Sequence, residues 1–357
     1  MDIEVVRDVE QFAALKDEWN DLLERSATRH IFLTHQWHYT WWEHFGTGNE
    51  GLLILLARDN GRLMGIAPLR RQRQRVKGLP LFRVLTFLLG YEADYRDFLL
   101  QEGMEWELLE VFLQYLKSDV EGWQALKLQG VHGDSVTNQV LPVVARQQGL
   151  AQHGQMGASC PYIALPPTYD EFLGRMSRST RRKFEQKLRK LGREQGTISL
   201  EVHCGSDVTS KDMDDFLHLH EQSWATRGGS RAICASSTAA FHRELVAAMK
   251  ETPWPFVSRL CVGDRTAAII YGYVVHGVFY DYLPGSDPAF EQYSVGAQAL
   301  MLTVEWGITA GWREFDLLRG DERYKFHFTR HLRHTVGHTI GVGRHLRTFR
   351  LLETFTV

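Results

Sequence analysis

Twice along its length the chain runs through the same succession of elements: helical periodicities, an antiparallel meander of strand signals, then a strand–helix–strand unit. In the first half Phe12, Leu15, Trp19, Leu22 and Leu23 recur at helical spacing, and residues 36–45 form a second helical pattern. Strands follow at 52–58 and 62–69 around Asn60-Gly61, a strong hairpin signal. Further strands are expected at 82–89 and 97–100, a helix over 104–117, a strand over 125–129 and a helix over 135–148. The second half predicts helices over 169–176 and 180–191, the latter capped by Gly192. A strand at 198–203 and helices over 212–226 and 238–250 come next. Three consecutive strands (256–262, 267–275, 278–283), a helix over 295–310 and a strand over 314–318 complete the pattern. Pro161, Pro166 and Pro167 cluster between the halves. An α+β chain of two similar tandem domains, 1–160 and 161–357, satisfies this order, and 357 residues is an ordinary length for two domains.

Charge narrows the function classes. Lys plus Arg total 41 against 43 for Asp plus Glu, so no global positive field exists for DNA. Four dispersed cysteines without a CxxC pair read as a reduced chain, and hence a cytoplasmic one. The start, MDIEVVRDVE, is not a signal peptide, and the most apolar short run, 52–57, is far below the length of a membrane span. The charge is uneven, however. Residues 175–193 hold nine Lys/Arg and one acid, while Phe184, Leu188 and Leu191 keep one apolar face. Such a helix presents either a solvated face or a surface for an anion: a nucleotide-linked substrate, tRNA, a phosphorylated carrier or anionic lipid headgroups at a membrane periphery. A second basic run, 70–77, reads as a loop after the first hairpin. Residues 327–350 carry five His and no acid. Residues 335–342 alternate like a strand and send successive side chains to opposite faces, so no metal is expected.

Two segments carry candidate chemistry. The strand at 278–283 leads through PGSDPAFEQY into SVGAQAL, a strand–loop–helix with Ser294 as the expected N-cap and Gly296 at the helix start. Helix N-terminal N–H groups there would hold an anion; an ordinary turn has the same local pattern. The second segment, EFDLLRGDERYKFHF, runs an apolar strand into Arg319, Asp321, Glu322, Arg323, Tyr324 and Lys325. Ionisable groups past the C-terminal end of a sheet strand assemble sites, or merely solvate a turn.

Four stretches together resemble the GNAT domain of the cellulose-biosynthesis-associated (CelD/BcsL-type) acetyltransferase family, related to Fem-type peptidyltransferases. They are SRSTRRKFEQKLRKL (177–191), HEQSWATRG (220–228), YDYLPGSDPAFEQYSVGAQAL (280–300) and FDLLRGDERYKFHF (315–328), with weaker echoes in the first half. The resemblance implies two tandem GNAT-like domains, each a mixed, mostly antiparallel sheet flanked by helices. It places an acyl-donor site on Tyr293, Ser294, Val295, Gly296 and Ala297, although the loop keeps little of the usual Arg/Gln-x-x-Gly-x-Gly/Ala pattern. The implied activity is acyl transfer from acetyl-CoA or another acyl-CoA to an amine or hydroxyl acceptor, in polysaccharide or envelope metabolism. Candidate bases are Asp281, Asp321 and Glu322; Tyr282 or Tyr324 would protonate the leaving thiolate, and Lys325 matches the transfer-site lysine of Fem-type enzymes. Arg319, Arg178, Arg181, Arg182 and Trp224 are candidate contacts to an anionic small-molecule or carrier-linked acceptor. The alternatives are an aminoacyl-tRNA-dependent transferase of the Fem kind and a non-catalytic binding module of a polysaccharide or lipid pathway.

Overall fold

Two compact units make up the computed structural model, one of residues up to Ala158 together with those from Arg333 on, the other of Ser159–Leu332. Residues 1–76, 79–225 and 236–342 are described. Lys77, the 226–228 end of HEQSWATRG and the basic tail past Val342 lie outside them.

The first unit begins with β1 (Asp2–Val6), α1 (Val9–Ala14), α2 (Lys16–Glu24) and α3 (His35–Phe45). The meander is β2 (Leu52–Asp59), β3 (Arg62–Val76), β4 (Leu79–Phe87) and the short β5 (Leu99–Leu100). Then come α4 (Glu105–Ser118), β6 (Ala125–Val131), α5 (Thr137–Gln147) and β7 (Ala151–Ala164), which crosses into the second unit. The strand β13 (Leu332–Gly341) pairs with β6. The sheet order is β1-β2-β3-β4-β6-β13-β7, with β4 and β6 parallel. Asn60 and Gly61 both take positive φ, 49° and 80°, the backbone a tight two-residue hairpin needs.

Two expectations fail here. The first apolar periodicity forms two helices, broken at Leu15. The basic run is not a loop but the end of β3, paired with β4 from Leu69 to Val76. Its Arg–Gln alternation has a period of two, so both faces stay polar while the backbone bonds to an apolar partner. Of the proline cluster between the halves, Pro161 lies within the strand β7 and does not interrupt it. One sheet face is apolar and packs on α4 and α5: Leu53, Leu55, Leu69, Leu85, Leu126 and Leu128 meet Leu108, Phe112, Leu141 and Val144. Burying these side chains supplies about 1.5–3 kcal/mol each relative to exposure.

The first unit also buries neutral imidazoles. Burial holds His35, His132 and His338 down to about 4 and His38 to about 3. The unfolded chain binds these protons near 6.5, so stability is complete above that pH and is lost as pH falls toward 4. Asp97 opposes this: burial raises it to about 6, so its protonation on acidification favours the fold. Four histidines outweigh one carboxyl. We expect the melting temperature to fall by about 10 °C or more between pH 7 and 5. A flat profile over that range would contradict the burial of these rings.

The second unit contains α6 (Tyr169–Arg175), α7 (Arg178–Gln195), β8 (Ile198–Cys204), α8 (Ser210–Ala225) and α9 (Ser236–Ala248). It continues with β9 (Pro255–Val262), β10 (Arg265–Val275), β11 (Val278–Ser286), α10 (Val295–Thr309) and β12 (Glu314–Asp316). Its order is β7-β12-β11-β10-β9-β8, parallel only between β11 and β12. This mixed sheet with flanking helices is the expected α+β plan. Ala299, Leu300 and Val304 of α10 pack with Phe256, Leu260, Ala268 and Ile270 of β9 and β10. The basic helix α7 starts at a Ser177 cap, whose Oγ accepts from Thr180 N at 3.1 Å. It runs through Gly192, the expected stop, and ends at Gly196 (φ 118°). Within the described residues no helix is long and apolar enough to cross a membrane, and no group of three His, Cys, Asp or Glu could hold a metal ion.

Candidate active site

The second unit's sheet opens between β11 and β12. Their parallel ladder holds three pairs, Val278↔Glu314, Phe279↔Phe315 and Tyr280↔Asp316. β11 then continues to Ser286, while the β12 chain leaves through Leu318, a non-glycine residue at φ 56°. On its other side β11 stays paired with β10, but with a bulge: Tyr271 faces Leu283 and Gly272 faces Asp281, leaving Tyr282 as the extra residue. Gly272 makes the bulge possible, because a Cβ there would lie 2.2 Å from Tyr280 O. Bulges re-aim the side chains beside them.

Asp281 is the first β11 residue past the ladder. It is 7% exposed, and its Oδ1 has no hydrogen-bond partner. Burial raises its pKa to about 7; the Lys325 charge pulls it down, and those of Asp316 and Glu322 push it up. Asp316 is fully buried at the end of β12 and accepts a hydrogen bond from Leu318 N at 2.8 Å. Lys325 is 4% exposed, and its Nζ donates to Arg319 O at 2.9 Å and Leu318 O at 3.4 Å, and pairs with Glu322 Oε2 at 2.9 Å. Tyr324 is 37% exposed, and the charges of Asp281 and Glu322 hold its phenol above its ordinary value.

The fold thus brings Asp281, Glu322, Tyr324 and Lys325 together. Arg319 contributes its carbonyl to Lys325. Asp321 is exposed, and the lysine pairs with Glu322 three residues before it, not with Asp321. Tyr282 turns to a different group: its ring lies 5.3 Å from His242, 5.9 Å from Tyr271 and 6.1 Å from Tyr273. Trp224, 36% exposed at the end of α8, lies 6.2 Å from His220, whose Nδ1 bonds Pro284 O of β11 at 2.7 Å. Sequence reasoning passed over Asp316 and His220. An acid in the middle of the apolar run EFDLL was the available signal for the first; no pattern marks the second.

The expected donor loop is built differently from a simple cap. Ser294 is left-handed (φ 56°, ψ 46°) and its side chain does not cap α10; its Oγ accepts from Lys187 Nζ of α7 at 2.6 Å. The first-turn N–H groups of α10 are therefore not spent on a side-chain cap, and that turn has no acid. Tyr293 and Val295 are buried, at 1% and 2% exposed, while Ser294, Gly296 and Ala297 are half-buried. The Tyr293 hydroxyl donates to Glu194 at 2.9 Å, and Gln298 Nε2 donates to Phe184 O at 3.0 Å, which seats the basic helix beside the α10 start. A Cβ added at Gly296 would meet nothing within 4 Å. Along α7, Arg181 pairs with Glu185 at 2.8 Å, whereas the exposed Arg178 and Arg182 make no ion pair among the described residues.

Residues 178–326 match the model of the acetyltransferase (GNAT) domain. This stretch is a GNAT-type acetyltransferase domain, and it contains every feature just described. No curated protein sequence matches the chain. Among solved structures the chain is similar to FemX, with 11% identity, 99% of this chain and 100% of that one covered, and a TM-score of 0.63. It is also similar to a conserved protein of unknown function from Bacteroides thetaiotaomicron (11% identity, 92% and 96% covered, TM-score 0.57). A third likeness is to the C-terminal domain of a putative lysylphosphatidylglycerol synthetase from Agrobacterium fabrum (10% identity, 96% of each chain, TM-score 0.56). At these identities the structures share the fold, and the likeness extends over both units.

Proposed function

We propose that the chain transfers an acyl group from an acyl-CoA to an amine or hydroxyl acceptor, with Asp281 as general base. The observation that carries this reading is the buried, unpartnered Asp281 carboxylate at the point where β11 and β12 part. A base poised near neutrality suits proton removal from an attacking nucleophile. Acceptor attack forms the new acyl bond and its proton passes to Asp281 Oδ1. Tyr324, kept protonated, supplies a proton to the departing sulfur. The β11 backbone past Tyr280, outside the ladder with β12, offers N–H groups for the carbonyl oxygen. Lys325 holds the turn and tunes Asp281.

Donor chemistry fits the α10 start on three counts: uncapped N–H groups, no first-turn acid, and open space over Gly296. Val295, Gly296 and Ala297 would hold a pyrophosphate there through their backbone, with Lys187 alongside. The placement in the cellulose-biosynthesis-associated family rests on the sequence stretches alone.

Titration calorimetry with acetyl-CoA tests the donor half. Gly296→Asp adds a carboxylate into open space, so the fold should hold while affinity falls at least about tenfold. Wild-type affinity in the folded variant would remove this loop from the donor site. Failure of the wild type to bind acetyl-CoA would overturn acyl-CoA as donor.

A further inference from the structure

The first unit has a split of the same form, and its chemistry is the opposite. β4 and β6 run parallel for three pairs, Val84↔Ala125, Leu85↔Leu126 and Thr86↔Lys127, then separate. β3 pairs with β4 so that Arg70 faces Thr86. The last row of the ladder is therefore Arg70–Thr86–Lys127. The matching row in the second unit is Tyr273–Tyr280–Asp316. Directly opposed residues on neighbouring strands share a sheet face, and residues two apart along a strand share it as well. Gln72 and Gln74 of β3 and Gln129 of β6 thus join the same face.

These side chains line a pocket of about 360 Å³, closed on one side by Leu89, Gly90, Tyr91 and Arg96 from the segment after β4. Arg96 fixes that segment: its guanidinium donates to Gly90 O at 2.5 Å and Ala93 O at 3.3 Å, and its backbone N bonds Gly130 O at 2.9 Å. Arg70 lies over the Trp41 ring at 4.7 Å. Burial lowers its pKa, and the nearby Glu92 only partly offsets this. Glu92 does not line the pocket, and it already accepts from Trp41 Nε1 at 2.7 Å. The lining therefore holds three cations, three primary amides and two hydroxyls, with no carboxylate. The buried Nε2 of Gln129 is a donor without a partner.

We propose that this pocket binds a diphosphate-bearing small molecule, with its phosphates across Arg70, Lys127 and Arg96 and its organic part against Tyr91. A row two strands wide sets Arg70 and Lys127 about 10 Å apart at the backbone, a span that long side chains close onto a diphosphate better than onto one phosphate. Tyr91 is 62% exposed at the rim and offers a ring face to a base or other flat group. The inference does not depend on the acyl-transfer reading, because every residue it uses is in the first unit.

Calorimetry with pyrophosphate, ADP and citrate decides it. Pyrophosphate should bind with an affinity that falls as salt rises. ADP should bind more tightly than pyrophosphate, and Tyr91→Ala should remove that difference. In a Gly296→Asp background, which removes the proposed donor position for a pyrophosphate, Lys127→Glu should weaken pyrophosphate by at least about tenfold, and so should Arg70→Gln. Lys127 is half-buried, and its variant keeps the test open should Arg70→Gln fail to fold. Absence of pyrophosphate binding at millimolar concentration, equal affinity in folded Lys127→Glu, or citrate binding as tight as pyrophosphate would each overturn the proposal. Loss of binding in Gly296→Asp would place the anion at the α10 start instead.

Discussion

Asp281→Asn should reduce turnover by about 10²–10⁴-fold, leave acetyl-CoA affinity within a factor of about two, and not destabilise the fold. The amide keeps the carboxylate's shape but cannot take the acceptor's proton, so the loss falls on the transition state rather than on donor binding. The stability half follows from linkage. Asp281 titrates near 7 in the fold and near 4 when unfolded, so the folded chain binds the extra proton between those values. Its contribution to stability therefore falls as pH rises through that window. Asparagine removes the slope, and the variant should melt at or above the wild-type temperature at pH 8. Thiol release from acetyl-CoA, with a panel of small amines as acceptors, gives the rate. In the wild type that rate should rise with pH through about 7 and level off. Normal turnover in a stable Asp281→Asn protein would sink the assignment.

The order of elements was legible in the sequence because both units repeat one plan and because periodicity survives wherever one face is buried. Helix and strand ends moved by only a few residues for most elements. The failures have local physical causes. Gly192 is a poor helix former, but α7 is anchored before it by the buried Phe184 and Leu191 and after it by Glu194, which accepts from the Tyr293 hydroxyl, and these contacts outweigh a propensity cost of about 1 kcal/mol. The Arg70–Val76 run carries few apolar residues, and strand formation there comes from the β4 ladder rather than from burial. β7 contains Gly154, Gly157 and Pro161, residues that read as breakers along a sequence, so its pairing could not be seen from local pattern.

The candidate site divides along the same line. Asp281 and Lys325 stood out because charged residues interrupt or closely follow apolar strands. Which of the neighbouring acids joins them depends on a turn: Leu318 at positive φ and Gly320 at φ 122° direct Glu322, not Asp321, onto the lysine. At φ 122° Gly320 holds a backbone conformation that L side chains rarely adopt, so the turn favours glycine. The two tyrosines are separated by the β11 bulge, a one-residue feature that no spacing rule reports. Residues at positive φ other than glycine are costly and persist where the surroundings impose them; two of the four among the described residues, Ser294 and Leu318, flank the proposed donor and transfer positions.

Lys325→Met should lower stability by about 2–4 kcal/mol and move the rate profile toward alkaline pH. Nζ satisfies the carbonyls of Leu318 and Arg319 and pairs with Glu322, all from a position 4% exposed. Methionine fills the volume but leaves those carbonyls without a donor, each at about 1–3 kcal/mol if water cannot reach it. The Glu322 side chain is 57% exposed and rehydrates, which keeps the loss at the lower end of the range for broken buried pairs. Arginine retains the charge, but its flat fork does not fit three converging acceptors, so Lys325→Arg should recover stability only in part. The catalytic consequence runs through Asp281. Lys325 pulls that carboxyl down, so without it the base deprotonates at higher pH. At pH 7 the methionine variant should turn over slowly, and at pH 9 it should approach the wild-type rate. If Lys325 instead polarised the thioester carbonyl directly, raising the pH would restore nothing, and the rate would stay low across the whole range. A rate that is low at pH 7 and recovers at pH 9, together with a lowered melting temperature, identifies the lysine as the residue that positions and tunes the base. A profile depressed equally at both values would assign it to the chemical step and overturn the positioning role.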